Sequence, residues 1–127
     1  MTRTVSVVTV NPSKEKGDRA ERALVDFLQH EGFPCRRIAA GQHDDIGDID
    51  IDEDVVLEVK NRYRLELPGF CRNLSAQMGN KDAAFGFIAI KPRGKPNPLD
   101  WVFVINGETF LNILRRIVIR KPNEATG

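Results

Sequence analysis

Residues 4–10 are rich in β-branched Val and Thr and stop at Asn11-Pro12, which predicts a strand followed by a turn. From about Lys14 the spacing of apolar positions becomes helical. Ala20, Ala23, Leu24, Phe27 and Leu28 fall on one face, and Gly32 ends the pattern as a C-cap. Residues 33–39 suit a short strand and residues 41–45 a polar loop. Ile49 and Ile51 then alternate with aspartates, and an apolar run over 55–59 follows an acidic turn, so residues 48–60 predict a β-hairpin. Pro68-Gly69 marks a break. A second helix is expected over 71–82, with Leu74, Met78 and Cys71 inward. Residues 85–90 and 101–105 are apolar on both alternating faces, as central strands covered on both sides are. A final helix from about Glu108 would turn Phe110, Leu111, Ile113, Leu114, Ile117 and Val118 inward. The order β-α-β-β-β-α-β-β-α predicts an α/β fold, a mixed sheet flanked by helices.

The hairpin can be taken further, because its apolar face fixes its register. For Ile49, Ile51, Val55, Leu57 and Val59 to share a face, Ile49 must lie across from Leu57 and Ile51 across from Val55. The loop is then Asp52-Glu53-Asp54. On the opposite face Asp48 falls across from Glu58, with Cβ atoms roughly 4.5–5.5 Å apart, and Lys60 lies two residues along. Facing carboxylates repel unless something positive sits between them. A divalent cation would serve. Mg²⁺ is held by one or two carboxylates and takes further ligands from phosphate oxygens, while a neighbouring ammonium stabilises charge on phosphorus or orients water. The arrangement suits metal-assisted phosphodiester hydrolysis. A solvated acidic strand is the plainer alternative. A calcium loop is excluded, because Glu53 and Val59 occupy the positions that need glycine and glutamate.

Composition changes the picture once charge is located. The 127 residues fit one domain, over 1–119, with a flexible tail over 120–127. The net charge of +1 argues against a polyanion partner only if charge is evenly spread. Seven of the 18 acids lie between positions 44 and 54, so the other 11 stand against 19 basic residues and the rest of the chain carries +8. Two cysteines, Cys35 and Cys71, form no close-spaced pair with each other or with His30 and His43, which disfavours both disulfides and zinc. They are expected to be reduced and buried. No apolar run is long enough to span a membrane, and an intracellular protein is expected.

Glu58-Val59-Lys60, with Asp48 ten residues earlier after Gly47, resembles the PD-(D/E)XK nuclease signature, glycine standing where that family loosely keeps proline. The segment from Lys16 to Leu24, followed by Glu31-Gly32-Phe33, is similar to the opening helix of the archaeal-type Holliday junction resolvases and their phage-encoded relatives. Residues 86–91 and 101–104 are similar to their closing strands. The likeness covers residues 14 to 118. It implies a restriction-endonuclease-like core, Mg²⁺ dependence with Mn²⁺ as a substitute, and a homodimer. It also implies that Asp48, Glu58 and the Val59 carbonyl are metal ligands and that Lys60 is the catalytic lysine. Glu21 would be the helical acid that completes the site, directly or through water. Asp45, thirteen residues before Glu58, fits the longer spacing of some archaeal members, although it precedes the predicted strand. Asp18-x-x-Glu21 also fits a capping box, Lys60 an ordinary strand end, and Gln77 a solvated helix position rather than one facing the site.

Basic side chains surround this centre in sequence. Lys14, Lys16, Arg19 and Arg22 stand near the start of the first helix, Arg62 and Arg64 follow the acidic hairpin, and Lys91, Arg93 and Lys95 follow a neighbouring strand. Such groups suit phosphate contacts without base readout. With the resemblance, the expectation is a Mg²⁺-dependent, structure-selective endodeoxyribonuclease acting on branched DNA, foremost four-way junctions. A less selective nuclease or nickase, and a non-catalytic DNA-binding module, remain as alternatives.

Overall fold

The computed structural model describes residues 12–39, 41, 44–61 and 66–118. The predicted strand over 4–10 and the tail over 120–127 lie outside them. Helix α1 (Pro12–His30) opens with proline in its first turn, where no backbone N–H is needed, and closes at Gly32, whose φ of +95° suits only glycine. Strand β1 (Arg36–Arg37) and strand β2 (Ile49–Asp50) are short, and β3 (Val55–Lys60) is the long arm of the hairpin. Helix α2 (Leu67–Lys81) begins four residues before its expected start. Pro68 and Gly69 form its first turn instead of a break. Strand β4 (Phe85–Ile90), a short 3-10 turn (Pro98–Asp100), β5 (Val102–Val104) and α3 (Gly107–Ile117) complete the described chain.

The five strands form one mixed sheet in the order β1-β2-β3-β4-β5. Among the described strands only β3 and β4 run parallel, joined by the crossover through α2. The other neighbours are antiparallel. Ile49 pairs with Leu57, the register expected from the apolar face. Helix α1 covers one face of the sheet, where Ala20, Leu24 and Val25 pack on Ile49, Leu57, Val59, Ala89 and Trp101. Helix α2 covers the other, where Phe70, Leu74 and Met78 meet Val56, Ile88 and Ile90. Gly86 lets α2 approach so closely because a Cβ there would stand 2.6 Å from Met78 Sδ.

Three expectations are corrected. Among the described strands β5 lies at an edge of the sheet instead of its centre, and Val102 and Phe103 are about half exposed. Apolarity on both faces did not mean cover on both faces. In α3 the apolar stripe is wider than its contact: Phe110, Leu111, Ile117 and Val118 are exposed, and Thr109 is the residue the helix buries. Thr109 accepts the Gly86 N–H through Oγ1 at 2.7 Å, and Asn112 donates to the Ala84 carbonyl at 2.8 Å, so polar contacts seat this helix. Finally, Cys35 and Cys71 are free, as expected, but half-buried rather than buried.

Candidate active site

The period of β3 builds the site. Leu57 and Val59 point into the α1 core, so Glu58 and Lys60 point to the α2 side. Asp48, next to Ile49 in the paired strand, comes to the same side across from Glu58. Its approach depends on Gly47, which has a φ of +104° and whose added Cβ would stand 3.0 Å from the Leu57 carbonyl oxygen. Asp48 enters the ladder in an unusual way. Its own N–H donates to Leu57 O at 2.9 Å, and its Oδ2 accepts the Val59 backbone N–H at 2.8 Å.

Burial and the facing carboxylate set the electrostatics. The Asp48 carboxyl is pushed up to about 8, chiefly by desolvation, then by its hydrogen bond with Glu58 and the charge of Glu58. The Val59 N–H pulls the other way, and the charge of Glu21 adds a small further push. Below about pH 8 the Asp48 carboxyl therefore carries a proton, hydrogen-bonded to Glu58. Glu58 is buried, and its Oε2 accepts from Gln77 Nε2 at 3.0 Å while standing 3.3 Å from Lys60 Nζ. The Lys60 ammonium also lies 5.1 Å from the centre of the Phe70 ring, so it meets one carboxylate and one aromatic face.

Glu21 has a basic partner from another element. Arg37, on β1, donates from Nε to Glu21 Oε1 at 3.0 Å and from Nη2 to Asp18 Oδ1 at 2.7 Å. The capping box is corrected too, because α1 starts at Pro12 and leaves Asp18 and Glu21 inside the helix. Glu21 is thus near enough to act on Asp48 by charge, but its carboxylate is bound to Arg37. Among the described residues no group of three His, Cys, Asp or Glu side chains stands together as a metal cage.

The donor set nevertheless fits Mg²⁺. Asp48 and Glu58 present hard oxygens at hydrogen-bond range, and Asp48 carries a proton that a cation would replace. In an extended strand the C=O of a residue points to the same edge as its N–H. The Val59 carbonyl therefore lies on the edge of β3 that faces β2, whereas the Lys60 carbonyl, on the other edge, accepts the Lys91 N–H at 3.0 Å.

The expected basic residues divide. Lys91 stands beside Lys60 through that backbone bond, and the Lys16 carbonyl accepts from Asn61 Nδ2 at 3.3 Å, so both elements meet the end of β3. Arg19, Arg93 and Lys95 are exposed. Arg62 and Arg64 lie outside the described residues. Two residues were missed by the reading of the sequence. Gln77, expected to be solvated, is buried and donates to both Glu58 and Asp45. Its place three residues after Leu74 and one before Met78, on the inner stripe of α2, was the available signal. Arg37 had none, since its partners lie in a different element.

No family model matches this chain, and no curated protein matches it either.

Proposed function

We propose that this chain is a Mg²⁺-dependent, structure-selective endodeoxyribonuclease with a restriction-endonuclease-like core, and that it resolves four-way (Holliday) junctions by paired symmetric nicks. The observation that carries the reading is the Asp48–Glu58 pair. Two carboxyl groups are brought face to face at the cost of a proton trapped on Asp48, with the Lys60 ammonium 3.3 Å from Glu58. Repulsion of this kind is retained where a cation is to be held.

Asp48, Glu58 and the Val59 carbonyl would hold the metal, with Mn²⁺ as a substitute. When bound, it polarises the scissile phosphodiester and lowers the pKa of attacking water. Lys60, anchored by Glu58 and Phe70, stabilises the negative charge that builds on phosphorus or orients the water. Glu21, held by Arg37, adds negative charge from α1. Lys16, Lys91 and the more exposed Arg19, Arg93 and Lys95 contact phosphates, with Arg62 and Arg64 as further candidates. Because a four-way junction needs two matched cuts, the active form would be an intracellular homodimer. Among the described residues no helix is long and apolar enough to cross a membrane.

The test incubates the protein with a labelled mobile four-way junction, matched duplex and single strand, with Mg²⁺ or EDTA. Paired symmetric nicks in the junction alone, lost in EDTA, are expected. Equal cutting of all substrates would replace this reading with a less selective nuclease or nickase. Binding without cleavage would replace it with a non-catalytic DNA-binding module.

A further inference from the structure

Gln77 occupies a position that an apolar side chain would fill more cheaply. It lies between Leu74 and Met78 on the inner face of α2 and is 2% exposed. Its Nε2 donates to Glu58 Oε2 at 3.0 Å and to Asp45 Oδ1 at 3.0 Å, so both amide protons go to carboxylates. Those acceptors fix which way the amide points, since the reversed amide would set its carbonyl against two acids. Its Oε1 is left, among the described residues, as a buried side-chain atom with no hydrogen-bond partner. An orphaned buried carbonyl is a cost, and the two donated bonds are what the fold obtains in exchange.

Those bonds reach two segments at once. One is the middle of β3 at Glu58. The other is the turn that leads into Asp48, where Asp45 Oδ1 also accepts the Gly47 N–H at 3.2 Å and Asn80 Nδ2, three residues along α2 from Gln77, donates to the Asp45 carbonyl at 2.9 Å. Gln77 and Lys60 both take Glu58 Oε2, which leaves Oε1 outside their grip.

We propose that Gln77 is a positioning residue that sets the separation of Asp48 and Glu58 for a divalent cation, holding Glu58 directly and Asp48 through the Asp45–Gly47 turn. The inference rests on the cation reading given above, and it assigns Asp45 a role as a tether rather than as a replacement for Asp48. Gln77 does not touch the reacting atoms.

The test is thermal unfolding of the full chain titrated with Mg²⁺, and in parallel with Mn²⁺, for wild type, Gln77→Leu, Gln77→Met, Asp45→Ala and Glu58→Gln. Losing a residue that orients metal ligands costs about 10-fold or more in metal affinity. Gln77→Leu should therefore raise the cation midpoint by about 10-fold, while the melting temperature without cation is unchanged or higher. A merely structural glutamine would move the melting temperature and leave the midpoint alone. Asp45→Ala should raise the midpoint in the wild-type background and add nothing to Gln77→Leu. Midpoints like wild type in both Gln77 variants, with the response lost in Glu58→Gln, overturn the inference and leave the cation reading standing. A wild-type protein with no cation response overturns both. If neither Gln77 variant folds, the Asp45→Ala midpoint decides alone, because Asp45 is exposed and its replacement leaves the core intact.

Discussion

Along β3, Leu57 and Val59 enter a dry cluster with α1, whereas Glu58 and Lys60, one residue out of step, enter the α2 side beside Gln77 and Phe70. The α1 face gains free energy by excluding water and asks only for shape. The α2 face buries an acid and an amide and half-buries a cation among apolar neighbours, and each must find a partner. Neither face would exist without the other. The apolar side sets the strand register, and the register brings Asp48 to Glu58, where repulsion alone would never have placed it. Stability and chemistry are thus divided between alternate residues of one strand.

Substitutions on the two faces should separate these tasks. The largest effect belongs to the polar face. Glu58→Gln or Lys60→Ala should abolish junction cleavage, a loss of about 10³-fold or more, while gel-shift binding to the same junction is largely retained. Full activity in either variant would remove these residues from the site. On the dry face, Leu57→Ala should cost about 2–5 kcal/mol of stability through lost burial and a residual cavity. Urea unfolding of the cation-free protein measures it, and a loss below about 1 kcal/mol would mean that the α1 cluster does not hold the register.

The smallest effect is a pH dependence. The Asp48 carboxyl titrates near 3.8 when unfolded and at about 8 when folded. Between those values the folded state binds the extra proton, so its stability is full below pH 4 and falls as pH rises through 8. Cation-free protein should lose melting temperature steadily from pH 5 to pH 8 and level off above it. Asp48→Asn should flatten that slope, and an equal slope in the variant would assign it to another group. In wild type, Mg²⁺ should restore the loss at high pH, because it takes the proton's place between the carboxyl groups.

The sequence made the hairpin legible because period-two alternation admits a single register that puts five apolar residues on one face, and the pairing of Ile49 with Leu57 agrees with it. Helix α1 and its glycine stop were legible for the equivalent reason at helical period. What escaped was whatever depends on cover rather than on pattern. The stripe on α3 and the two apolar faces of β5 reveal amphipathicity but not which part another element reaches, and both are partly exposed. Arg37 escaped because its acids lie 16 and 19 residues away in α1. Gln77 escaped because residue type outweighed position, although its spacing from Leu74 placed it inward.

The route of the chain between β3 and β4 bears on how the protein is made. Asp48 and Glu58 belong to a hairpin of close sequence neighbours, and hairpins of this kind close in about 1–10 μs. The amide of Gln77 and the ring of Phe70 arrive only with the α2 crossover, and parallel pairing with β4 follows later still. During synthesis the acids emerge before the groups that receive them. Asp48 therefore takes up its proton late, when burial in the docked fold removes the water that keeps its carboxylate charged in the open hairpin.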